Sequence, residues 1–145
     1  MKLFSFVAVS SLVLASCGTI SAQQAAKNWL SQSNFHANTH RLAQDAHVTR
    51  KLLLSARPTA PQLHTVCGVL LLDSEAANSS LPSPDNQSNT LLANAYDTMG
   101  NAANTCFNAS ASRSQRVRAV AYLDRAVTLL TESQIRLRIS AGVTP

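Results

Sequence analysis

His36 and His40 stand four residues apart, the spacing that puts two imidazoles on one helix face, where they can clamp a transition metal or contact a haem. His47 falls on the same arc, but seven residues beyond His40 is about 10 Å along a helix axis, so one helix cannot bring all three to one ion. No glutamate completes a His-Glu-x-x-His arrangement, and Asp45 projects from the opposite side. His36 and His40 are therefore the candidate metal or haem ligands, set against the plainer expectation of exposed polar histidines. His64 reads as a surface or boundary residue.

Hydrolytic chemistry has little to work with. There is no Gly-x-Ser-x-Gly elbow, and the four glycines are too scattered for a phosphate-binding loop. Asp73 and Glu75, two residues apart, face different sides of a helix and make no acid–base dyad. Asp85 suits a helix cap, with a polar groove near Asp73 and Asn78 as the alternative. Catalytic residues, enzymatic activity and a resident cofactor are not expected.

Three cysteines, Cys17, Cys67 and Cys106, are an odd number. The apolar run from Leu3 to Ala15 behind Met1-Lys2 is too short for a bilayer span, which takes about 20 helical residues, and reads as an export signal. Leu14-Ala15-Ser16-Cys17 resembles a lipobox, whose cysteine is acylated; cleavage after Ile20-Ser21-Ala22 is the rival and gives a freely secreted protein. Acylation at Cys17 would hold the chain to the outer face of the cytoplasmic membrane by a lipid of more than one acyl chain. Cys67 and Cys106 are then an even pair in an oxidising compartment, and a disulfide between them is expected. Asn78, Asn86 and Asn108 each open an Asn-x-Ser sequon, read as coincidental in a bacterial lipoprotein.

Charge is sorted along the chain. Residues 18–57 carry five bases and one acid; residues 58–110 carry Asp73, Glu75, Asp85 and Asp97 and no base; residues 111–145 carry six arginines and two acids. Two basic helices flanking an acidic hairpin would make solvated salt bridges of about 0–1 kcal/mol each. The sharper reading makes Arg113, Arg116, Arg118 and Arg125 a patch for an anionic partner: a lipid headgroup surface, another anionic envelope component such as a cell-wall polymer, or an acidic protein. Nucleic acid is not expected, since the chain has one tryptophan and two tyrosines, shows no helix-turn-helix and reads as exported.

The elements that must position these groups read as helices. Phe35, Leu42, Ala46 and Leu53 form one stripe, stopped by Pro58. Thr59-Ala60-Pro61-Gln62 has the form of a capping box opening a second helix, with a seam of Leu63, Cys67, Leu70, Ser74, Ala77 and Leu81. The Leu81-Pro82-Ser83-Pro84-Asp85 segment breaks it. A third helix from about Ser88 carries Leu92, Ala95, Met99, Ala102 and Cys106; a fourth carries Val120, Leu123, Val127, Leu130 and Leu137 and ends near Ser140. Short connections predict an all-α, up-down four-helix bundle closed by an inter-helix Cys67–Cys106 disulfide. A simple hairpin offsets the two cysteines by about 9 Å, against the 7 Å or so a disulfide tolerates, so an irregular turn or a shifted helix end is implied.

Composition agrees: 145 residues, 46% hydrophobic, 13% charged and only four glycines exclude a disordered polyelectrolyte and a turn-rich β-sandwich. The expected organisation is a signal peptide over 1–16, a lipidated polar tether over 17–28 and a helical domain over 29–142, with Trp29 and Leu30 as a lead-in turn. Cys67-Gly-Val-Leu-Leu-Leu-Asp73, Ala77-Asn78, Leu81-Pro82-Ser83-Pro84-Asp85, Ala95-Tyr96 and Ala102-Ala103 before Cys106 together resemble small exported helical proteins of actinobacteria over roughly residues 60–140. The resemblance implies export, a lipobox or signal and a cysteine pair, and no activity. A non-enzymatic envelope binding protein is the expectation, with a secreted carrier or sensor of haem or a metal ion through His36 and His40 as the alternative.

Overall fold

The computed structural model describes residues 20–110 and 112–143, and five α-helices account for most of them: α1 (Ala22–Gln32), α2 (Phe35–Leu53), α3 (Ala60–Asn78), α4 (Asn86–Phe107) and α5 (Arg113–Ser140). Among the described residues there is no strand, and no helix is long and apolar enough to cross a membrane. The export signal and Cys17 lie outside the described residues.

The helix ends follow their capping chemistry. Thr59 and Gln62 form the reciprocal capping box at the start of α3. Asp85 accepts from the Ser88 backbone N–H at 2.8 Å and opens α4, while Ser112 caps α5. At the far end of α5, Gly142 has φ +68°, a left-handed turn in which the Val143 N–H bonds the Arg138 carbonyl at 2.9 Å. A side chain there would also collide with Gln23, which packs against this glycine and donates to the Ala141 carbonyl at 3.3 Å. The start of α1 is thereby fastened to the end of α5.

Residues 22–28, expected as part of a polar tether, are the first two turns of α1 instead. Alanine, glutamine and lysine favour helix there, Ser21 caps it, and Ala26 is buried. Trp29 and Leu30 pack on the core from within this helix; the Trp29 indole N–H donates to the Ser80 carbonyl at 3.2 Å, and its ring lies 5.3 Å from that of Phe35. Asn34, at φ +52°, turns the chain into α2.

Packing is between chain neighbours, α2 with α3, α3 with α4 and α4 most extensively with α5, and α2 also meets α5, while α1 touches α2 and α5. The stripes of α2 and α4 bury as the spacing predicts, as does that of α3 as far as Ala77, while Leu81 lies beyond the end of α3 and is only partly buried. In α5, Leu123, Leu130 and Leu137 bury as expected, but Ala119, Ala126 and Ser133 complete the buried face, whereas Val127 is 37% exposed and Val120 only half-buried. The reason is size. Ala95, Ala102 and Ala109 recur every seven residues on one side and Ala119, Ala126 and Ser133 on the other, all but fully buried, so the two segments can approach closely on small side chains. Hydropathy alone ranks valine above alanine and picks the wrong neighbour.

Cys67 and Cys106 are joined, with Cα atoms 5.9 Å apart. Cys67 lies eleven residues before the end of α3 and Cys106 twenty residues into α4, a difference of nine residues or about 13 Å along the axes. The connection from Ser79 to Asp85 absorbs this. Its seven residues can extend by up to about 3.3 Å each, which lets α4 begin well beyond the end of α3.

Candidate functional site

The last turn of α2 carries Arg50 and Lys51, and the chain then leaves the helix through Leu54, Ser55 and Ala56 before Arg57 and Pro58. At the same end of the molecule α5 begins with Arg113 and Arg116, followed by the exposed apolar residue Val117. A hollow of about 380 Å³ lies between them, lined by Leu53 to Ala56 from the α2 side and Arg113, Arg116 and Val117 from α5. A larger open groove of about 910 Å³ shares Leu54 and Ser55 with it and runs between α2 and α3 past Lys51, Val48, Leu52 and Val66.

Leu54 is 58% exposed and Val117 61%, so bare aliphatic side chains stand among the cations at this end. Arg50 is engaged: its Nε lies 2.8 Å from Asp124 Oδ1, tying α2 to α5. Arg116 is half-buried and reaches the Ser110 carbonyl at 3.5 Å. Lys51, Arg57 and Arg113 form no ion pair among the described residues. The result is a basic surface with an apolar floor.

Only half of the expected arginine patch belongs to it. Arg113 and Arg116 line the hollow, but Arg118, two residues on from Arg116, points about 160° away round the helix, and Arg125 lies one heptad further on that other flank. Arg136, also on that flank, pairs with Asp85 of the α4 cap at 3.3 Å. The sequence reading missed Lys51, Leu54 and Val117. Charge order along the chain cannot reveal that the end of α2 and the start of α5 become neighbours.

His36 and His40 line one shallow hollow between α2 and α5 together with Gln134, and His47 sits further along that seam with Arg50 and Asp124. No group of three or more His, Cys, Asp or Glu converges to hold a metal ion among the described residues. His64 packs at a tilt against Phe107, ring centroids 5.5 Å apart.

A carboxylate pair that no local motif announces lies across the α2–α3 seam. Asp45 is pushed up to about 6, first by burial and then by Asp73, whose carboxylate is close enough to share a hydrogen bond; Arg41 pulls the other way. Arg41 Nε is bound to Asp73 at 3.2 Å, and the Asp45 Oδ2 atom is buried without a partner.

No protein-family model matches the chain, and no curated protein or solved structure matches it either. The described residues form an all-helical, disulfide-closed unit with a basic end floored by apolar side chains.

Proposed function

We propose that this is a non-enzymatic binding protein of the cell envelope, exported and held at the membrane by a lipid on Cys17, with α2 to α5 arranged as an up-down four-helix bundle. Its likeness to small exported helical proteins of actinobacteria belongs to the same reading. The partner is an anionic surface, an acidic protein or envelope polymer, that meets Lys51, Arg113 and Arg116 around Leu54 and Val117.

One observation carries this reading. The basic end is built on the start of α5, whereas the start of α1, where an anchored segment would join, is fastened to the end of α5 through Gln23 and Ala141. The 28 residues of α5 separate the two by about 40 Å. A basic end so far from the anchor suits a partner held away from the membrane. Acylation at Cys17 also leaves Ser21 in place to cap α1, while cleavage after Ala22 would remove that cap.

Retention of the purified protein on an immobilised polyglutamate matrix tests the reading. Charge reversal by Arg113→Glu with Lys51→Glu should abolish salt-sensitive retention, and Arg118→Glu with Arg125→Glu should leave most of it. Equal loss in both variants would reduce the effect to net charge and sink the assignment. Intact mass of the exported protein decides the anchor: a mature terminus at Gln23 with no added lipid refutes it.

A further inference from the structure

Helix α3 has no strongly polar side. Its 19 residues include two charges, Asp73 and Glu75, and Thr65, Val69, Leu72 and Ala76 are all exposed along its outer surface. At 100° per residue these four lie within about 60° of one another, and no charged residue shares that arc. Leu72 is 65% exposed and Val69 43%. A surface helix ordinarily turns charge to water on this side, and a helix apolar all round is one that is covered. Although α3 packs between α2 and α4, its outer stripe stays bare.

The bare surface continues onto α2. Exposed Val48 and half-buried Leu52 and Val66 line the open groove between the two helices, and Val69 and Leu72 extend its apolar wall along the next two turns of α3. Charge is divided between the two ends of this seam. Lys51 lies beside Thr65 and Val66 and forms no ion pair among the described residues. Further along, Asp45 and Asp73 face each other with Arg41 beside them, and Asp45 Oδ2 has no partner. One end has a cation to spare and the other a carboxylate.

We propose that the α2–α3 face is the interface of a homodimer, in which α3 packs antiparallel against α3 of a second copy about a two-fold axis between Val69 and Leu72. Stripe spacing and charge both favour this occupant. Steps of four, three and four read the same in either direction, so the two-fold sets Val69 against the partner's Leu72 and Thr65 against the partner's Ala76. The larger side chains meet at the centre and the smaller ones at the rim. The same rotation carries the partner's Asp73 to the level of Gly68. That is two to three residues, or about 4 Å along the axis, from Thr65 and Val66, where Lys51 stands.

Each Lys51 thus meets the other copy's carboxylate pair, and symmetry makes the contact twice. A parallel pairing would set Lys51 against the partner's Lys51 and carboxylates against carboxylates, so charge selects the antiparallel arrangement. Arg113 and Arg116 line the hollow on the α5 side of α2, outside this interface, so the basic end and the dimer can fail separately.

Sedimentation velocity of the purified exported protein in a density-matched nonionic detergent tests the proposal. We expect a reversible monomer–dimer equilibrium with a dissociation constant on the order of micromolar. Leu72→Glu should leave a monomer with an unchanged far-ultraviolet circular dichroism spectrum, because that side chain faces solvent and not the core. Lys51→Glu should raise the dissociation constant about tenfold or more, equivalent to about 1.4 kcal/mol or more. Ile135→Glu, which places the same charge at an exposed apolar position of α5, should leave association unchanged, as should Arg113→Glu. A monomer persisting to about 100 μM, roughly a hundred times the expected constant, overturns the proposal. So does a dimer that survives Leu72→Glu, or one lost equally with Ile135→Glu.

Discussion

Arg136, close to the end of the last helix, reaches back 51 positions to the carboxylate of Asp85, the residue that caps α4. Its Nε and Nη2 each lie 3.3 Å from a different carboxylate oxygen, while Ser88 donates to the same group from its backbone at 2.8 Å and its hydroxyl at 2.6 Å. One side chain thus starts a helix and fastens it to another.

Replacing Asp85 should therefore cost more than an exposed cap. Asp85→Ala is expected to destabilise by about 1–2 kcal/mol, and Asp85→Asn, which keeps an acceptor, by less. Burial opposes ionisation of Asp85, but the hydrogen bonds from Arg136 and Ser88 outweigh it and hold the carboxyl down at about 2. A depressed carboxyl stabilises the fold fully above its unfolded value near 4 and loses that contribution as pH falls through about 2. Thermal melts of wild type and Asp85→Asn should differ by a constant amount above pH 4 and converge toward pH 2.

Asp45 has the opposite sign. Its carboxyl, raised to about 6 by burial and by Asp73, favours the folded state when protonated. Its contribution is complete below about pH 4 and declines as pH rises through about 6. Asp45→Asn should consequently raise the melting temperature at pH 7.5 by a few degrees and give little or no gain at pH 4. A uniform gain at both pH values would contradict the shared-carboxylate geometry.

The Cys67–Cys106 bond closes a loop of 39 residues' separation. In the chain-entropy treatment such a closure is worth about 4 kcal/mol. Cys67→Ser with Cys106→Ser should lower the urea midpoint accordingly, and labelling of the denatured, unreduced wild type should find neither thiol reactive.

Much of the helical organisation was legible in the sequence because local chemistry decides it. The Thr59–Gln62 capping box, the proline segment after Leu81, the Asp85 cap and the stripe from Phe35 to Leu53 each need only near neighbours in the chain. The pairing of Cys67 with Cys106 was legible too, since both fall on the seams of their helices. Less so were α1, whose polar residues hide one buried alanine, and the part of the α5 stripe where Ala119 and Ala126, not Val120 and Val127, join the buried leucines.

The candidate sites divide along the same line. Residue types and charge order pointed to Arg113 and Arg116, but could not join them to Lys51 and Leu54, because that depends on α2 and α5 coming together although some sixty positions separate Leu54 from Arg113. Asp45 and Asp73 likewise come together only across a helix seam. Which segments are helical, and which face of most of them is apolar, follows from the residues alone, since propensity, capping and period act within a few positions. Which polar faces meet depends on folding, because it is set by the axial offset and rotation of packed helices, properties of pairs of segments that neither segment carries alone.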